Sequence, residues 1–153
     1  NNILEGADVI TGDVRNSSVN NLRGAYNSLN LGNFIVKGDA TGASILADEI
    51  KSARILGDFV DSSMYADHFR RVDVIGDVVG GVIDTNDVQI RSRLGVRGNA
   101  DNFLFAPFYN STFRGNLSNG QIETVRYPEG IKIKGSVEEV IVRNLLTDEI
   151  IFL

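Results

Sequence analysis

Short stretches of the chain alternate apolar and polar residues with a period of two, as in Val72-Asp73-Val74, Val88-Gln89-Ile90 and Ile131-Lys132-Ile133. That is the period of a strand with one buried face, not that of a helix. β-branched residues dominate these stretches, as they do in strands. Gly, Asn and Asp interrupt them at short intervals, so the pattern predicts many short strands joined by tight turns.

A longer period overlies the alternation. The tripeptide Gly-[Asp/Asn/Ser]-apolar begins at Gly12, Gly38, Gly57, Gly76, Gly98, Gly115 and Gly135, in steps of 26, 19, 19, 22, 17 and 20 residues. Seven residues beyond these glycines stand Val19, Ile45, Met64, Ile83, Phe105, Ile122 and Val142, all apolar. A sandwich of antiparallel strands does not place equivalent residues at a fixed spacing of this length. Stacked coils do, because each coil buries its inward residues only against its neighbours. The expected fold is all-β: one right-handed parallel β-helix (β-solenoid) with about 19–20 residues per coil and about seven coils. The left-handed type would carry a six-residue sub-repeat, which is absent. Stacking at about 4.8 Å would give a rod roughly 30–35 Å long. The seven apolar residues are expected to form one inward ladder. Residues 1–11 are expected to be an N-terminal edge strand, 12–142 the repeat coils and 143–153 a C-terminal edge, all within one domain spanning 1–153.

The repeat carries a family resemblance. Val36-Lys37-Gly38-Asp39, Ile55-Leu56-Gly57-Asp58, Val74-Ile75-Gly76-Asp77 and Val78-Val79-Gly80-Gly81-Val82 resemble two groups of repeats. One is that of the bactofilins, polymer-forming bacterial cytoskeletal β-helices. The other is the Gly-Asp-rich parallel β-helix repeats of bacterial surface and adhesin-like proteins. The resemblance implies a non-enzymatic structural protein, a subunit or domain of an extracellular or surface assembly that self-associates or stacks on neighbouring domains. It implies as alternatives a carbohydrate- or host-surface-binding module and a cytoplasmic bactofilin-like scaffold.

Composition narrows the chemistry. With 153 residues, 42% of them hydrophobic, the chain suits one domain with a core. Fifteen Lys and Arg against 20 Asp and Glu leave a net charge of −5, which argues against a nucleic-acid partner. No apolar run approaches the roughly 20 residues of a membrane span. Without cysteine there is no disulfide, thiolate metal site or cysteine nucleophile. The single histidine, His68, sits in no catalytic motif, and no serine elbow or phosphate loop is present. No catalytic residue is therefore expected. The chain begins Asn1-Asn2, is poor in lysine and lacks cysteine. These features lead to the expectation of a processed or excised exported chain, extracellular or at the cell surface, with a cytoplasmic location as the alternative.

Candidate sites follow from the register. Asp13, Asp39, Asp58 and Asp77 are expected at one corner of the coils, and Asp48, Asp67 and Asn86 at another. Stacked carboxylates repel one another and invite a hard cation, so Asp39, Asp58 and Asp77 are candidate calcium ligands. The same residues also cap turns by accepting backbone amide bonds. Arg70, Arg71, Arg91, Arg93 and Arg97 form the one basic concentration, suited to an acidic polysaccharide or to the acidic face of another subunit. In the aromatic segment, Phe105 is expected inward, and Phe103 and Phe108 are candidates for an exposed shelf against sugar or protein. Ile3 and Leu4 near one end and Ile150, Ile151, Phe152 and Leu153 at the other are candidates for an end-to-end assembly interface. Alternatively, the last four fold back over the final coil.

Overall fold

The structure is a computed structural model that describes residues 9–87 and 92–153. The described residues contain no helix, and so none long and apolar enough to cross a membrane. They form seventeen strands in one continuous sheet. The first four are β1 (Val9–Thr11), β2 (Val14–Val19), β3 (Leu22–Val36) and β4 (Ala40–Ile55), the last two of which each run through most of a coil. The middle coils break into shorter pieces: β5 (Phe59–Val60), β6 (Ser63–Phe69), β7 (Arg71–Val74), β8 (Val78–Val79), β9 (Val82–Asp87) and β10 (Arg93–Val96). There follow β11 (Ala100–Asp101), β12 (Leu104–Phe108), β13 (Asn110–Phe113), β14 (Leu117–Thr124), β15 (Ile131–Ile133), β16 (Val137–Asn144) and β17 (Glu149–Phe152). Every pairing is parallel except that of β16 with β17. The result is a parallel β-solenoid of about seven turns, as the repeat requires.

Inside, like positions stack in ladders. Tyr26, Ile45, Met64, Ile83, Phe105, Ile122 and Val142 are in successive register and all buried. Six of these seven are the residues the repeat predicts. Val19 is buried too, but it belongs to a different ladder, running Val19, Val36, Ile55, Val74, Val96 and Phe113. A third runs Leu22, Ala40, Phe59, Val78, Ala100 and Leu117. Small residues sit beside large ones there, as Ala40 does beside Phe59, which suits the close packing of a protein interior.

The misplacement of Val19 has a clear cause. Gly38, Gly57, Gly76, Gly98, Gly115 and Gly135 stack at one corner, so closely that a Cβ on any of the last five would run into backbone of the coil before it. Gly12 has open space around it among the described residues. The register Val14↔Leu31 puts Gly12-Asp13 at the second corner, in line with Asn30 rather than with Asp39. Asn20 and Asn21 take the first corner in that coil, which is why the step from Gly12 to Gly38 is 26 residues.

A third corner was not read from the sequence. Four residues after the corner glycines stand Gly42, Asp61, Gly80, Asn102, Asn119 and Glu139, and all six have positive φ, between 46° and 63°. The left-handed region favours glycine, and Asn or Asp next, because a Cβ there crowds the following carbonyl. The recurrence of Gly, Asp and Asn at this position was the available signal.

The coils differ in length where the chain inserts or omits residues. His68 pairs with Asp87 at a separation of 19, but Arg71 pairs with Arg93 at 22. Around Pro107, which has no amide N–H for the ladder, the register shifts between Phe105 and Phe108.

Candidate functional site

Three features of the surface and ends carry chemistry. The first is the corner column. The Oδ1 atoms of Asn21, Asp39, Asp58, Asp77, Asn99 and Asn116 each accept the backbone N–H of the equivalent corner residue one coil on, at 2.7–3.0 Å. Asp39, Asp58 and Asp77 are therefore in register as expected, with one oxygen of each engaged by an amide. Asp13 is not among them; its Oδ1 accepts from Asn30 Nδ2 at the second corner. There Asp48, Asp67 and Asn86 share a register, and Asn86 Nδ2 donates to Asp67 Oδ1 at 3.0 Å. Among the described residues no group of three or more His, Cys, Asp or Glu side chains is arranged to hold a metal ion. The amide contacts make a test possible. Asp58→Ala should cost about 1 kcal/mol by loss of one hydrogen bond, whereas Asp58→Asn keeps the acceptor and should stay within about 0.5 kcal/mol of the parent. Denaturant midpoints with calcium and with chelator check this. A loss for both variants that depends on calcium would give the column to a bridging cation.

The second feature is a basic hollow on the face formed by β7, β10 and β13. Arg71 lies directly beside Arg93 in register. Arg97 and Arg114 follow Val96 and Phe113, which are paired in successive coils, so they form a second pair along the same face. Between the two pairs lies Gly95, flanked in register by Asp73 on one side and Thr112 on the other. The missing side chain of Gly95 leaves a hollow of about 340 Å³ lined by these four arginines, Asp73 and Thr112. A second hollow of about 300 Å³ shares Arg93 and Thr112 with it and adds Lys132 and Glu129. Arg71 Nε donates to Asp73 Oδ2 at 2.6 Å. Arg93, Arg97 and Arg114 make no ion pair among the described residues. Of the residues expected in this patch, Arg71, Arg93 and Arg97 are thus brought together. Arg70 turns away at the corner, 3.9 Å from Glu49. Arg91 lies outside the described residues. Arg114 and Lys132 were not read from the sequence, because their membership depends on coil register.

The aromatic shelf is corrected. Phe103 and Phe108 are 4% and 1% exposed and belong to the core. Phe103 stacks on Phe105 at 4.6 Å and lies over Gly120 of the next coil, where the absence of a side chain makes room for the ring. The register shift at Pro107 turns Phe108 inward, 5.5 Å from Phe69.

The third feature is the C-terminal end. β17 folds back antiparallel on β16, pairing Ile151 with Val142 and Phe152 with Ile141. Leu153 N donates to Val140 O at 2.9 Å. Arg143 clasps Asp148 across the turn through Nε and Nη2, at 3.1 and 2.8 Å. Of the candidate interface residues, Ile151 packs on the core while Ile150, Phe152 and Leu153 remain exposed. Ile3 and Leu4 lie outside the described residues. β17 roofs one face only. Ile131, Ile133 and Val137, the last members of their ladders, are only partly buried, whereas the members above them are fully buried. With Tyr127, Pro128 and Leu153 they line an apolar cavity of about 450 Å³.

Elsewhere on the surface, Asp101 sits in a small polar cluster. Hydrogen bonds from Ser118 and Asn119 hold its carboxyl below the ordinary aspartate value.

Comparison with protein-family models, with curated proteins and with solved structures finds no match for this chain.

Proposed function

We propose that this chain is a non-enzymatic structural element of an extracellular or surface assembly, and that it associates end to end with a second copy. The observation that supports this most is the unfinished core at the C-terminal end. An apolar ladder that stops half-exposed leaves unpaired strand edges and dry surface, which proteins normally cover. The lower edges of β15 and β17 have no partner among the described residues, and neither do the upper edges of β1 and β2. A second copy offers a coil of the same cross-section. The contact is head to tail, so it propagates into a filament when it does not close. The resemblance to surface and bactofilin-like β-helices points the same way.

The test is Ile133→Lys, which places a charge at the open end without entering the closed part of the core. Light scattering and negative-stain microscopy should show concentration-dependent assemblies for the parent and monomers for the variant, with the melting temperature kept. A parent that stays monomeric at every concentration would sink the proposal. Deleting Ile151–Leu153 is the poorer test, because those residues pair with β16 and their loss exposes a fresh edge. A second reading, a module that binds carbohydrate, is supported by the basic hollow.

A further inference from the structure

The arrangement around Gly95 leads us to propose a binding site for an acidic polysaccharide, a chain carrying carboxylate or sulfate groups. The proposal rests on the carbohydrate-binding reading and assigns it a ligand class and a place. Guanidinium forks match the geometry of carboxylate and sulfate oxygens and bind them in pairs of parallel bonds. Here two arginine pairs face each other across a floor that is bare backbone at Gly95. Three of the four arginines, Arg93, Arg97 and Arg114, form no ion pair among the described residues, although Asp73 and Glu129 stand on the rims. The two hollows meet at Arg93 and Thr112, so the surface continues along the face past Glu129 to Lys132 as a groove rather than ending as a point. A groove with cations at intervals fits a polymer bearing repeated anionic groups better than a single small ion. The chain as a whole carries −5, so attraction of an anionic polymer would come from this local patch and not from the net charge. No aromatic ring lines either hollow, which removes the stacking platform that single-stranded nucleic acid uses.

The hollow exists because one strand position lacks a side chain. Gly95 has no left-handed backbone that would demand glycine, and a Cβ there would come 2.9 Å from Asp73 Oδ1, the far end of a movable side chain. Gly95→Val therefore raises the floor and narrows the hollow while leaving every charge in place. Arg93→Gln with Arg97→Gln removes charge while leaving the shape. Asp73→Asn removes the carboxylate on the rim and should tighten binding.

The experiment measures binding of the intact chain to heparin, polygalacturonate, uncharged dextran and a thymidine oligonucleotide, at low and high salt. The expected result is salt-sensitive binding to heparin or polygalacturonate and none to dextran. It should weaken about tenfold or more in the double arginine variant, as charge-assisted contacts are lost. It should weaken also in Gly95→Val, strengthen in Asp73→Asn and hold in Lys37→Gln, an exposed cation three coils away on the same edge. Circular dichroism and melting temperature confirm that each variant is folded. Tighter binding to the oligonucleotide with the same dependence on arginine would overturn the assignment to polysaccharide. Dextran binding indifferent to the arginines would overturn this site and leave the carbohydrate-binding reading standing. Binding to none of the four would remove both.

Discussion

Phe69→Ala is expected to lower the unfolding free energy by about 3–5 kcal/mol, the upper range for deletion of a buried large side chain. Phe69 is wholly buried and lies against Phe108 at 5.5 Å. Its side chain is held on every side by coils that are themselves tied to their neighbours by backbone hydrogen bonds, so the cavity has little freedom to collapse. Urea denaturation, with the slope checked against the parent, measures the change. A loss below about 1.5 kcal/mol would mean that the coils close over the gap, and that the interior is less constrained than the ladders imply.

The second large effect concerns backbone rather than side chain. A Cβ added at Gly76 would stand 2.5 Å from the carbonyl carbon and oxygen of Gly57 and would also strike the Asp58 carboxylate. Those atoms belong to a corner already bonded from Gly76 N to Gly57 O at 3.1 Å and from Asp77 N to Asp58 Oδ1 at 2.8 Å. Relief of the clash must open one or both bonds. Gly76→Ala should therefore cost about 2–4 kcal/mol, overpacking and a lost hydrogen bond together. Gly12→Ala meets nothing within 4 Å among the described residues and should change stability by less than about 0.5 kcal/mol. The contrast matters more than either value. Equal losses at the two glycines would contradict the placement of Gly12 at a different corner.

The same contrast shows how far the pattern could be read. Gly12-Asp13-Val14 and Gly57-Asp58-Phe59 are the same local word, and both stand at corners. Both corners reward Gly and Asp for the same reason, tight backbone and a short acceptor, so composition does not tell them apart. Interstrand register does. The arginine hollow was half legible on similar grounds. The cluster of basic residues is visible in one dimension. The pairing in register of Arg71 with Arg93 across 22 residues, and the arrival of Arg114 beneath Arg97, depend on where coils lengthen and shorten. The aromatic segment misled because the outward placing of Phe103 and Phe108 assumed an unbroken alternation, and a bulge at Pro107 and a glycine in the next coil displace it.

The sequence by itself determined the solenoid, its coil length, its glycine corner and most of its central ladder. It could do so because those features recur in most coils, and a requirement repeated along the chain averages out local exceptions. Only the tertiary structure decided the rest: which corner the first glycine joins, which arginines share a face, which phenylalanines are buried, and that β17 closes one face of the C-terminal end while leaving the others open. Each of these depends on an insertion, an omission or a reversal that occurs once. An extra residue or two in a coil costs little loop entropy and leaves little mark on local composition. Yet it shifts every later neighbour, and in a stacked fold the neighbours in the adjacent coil decide what each side chain meets.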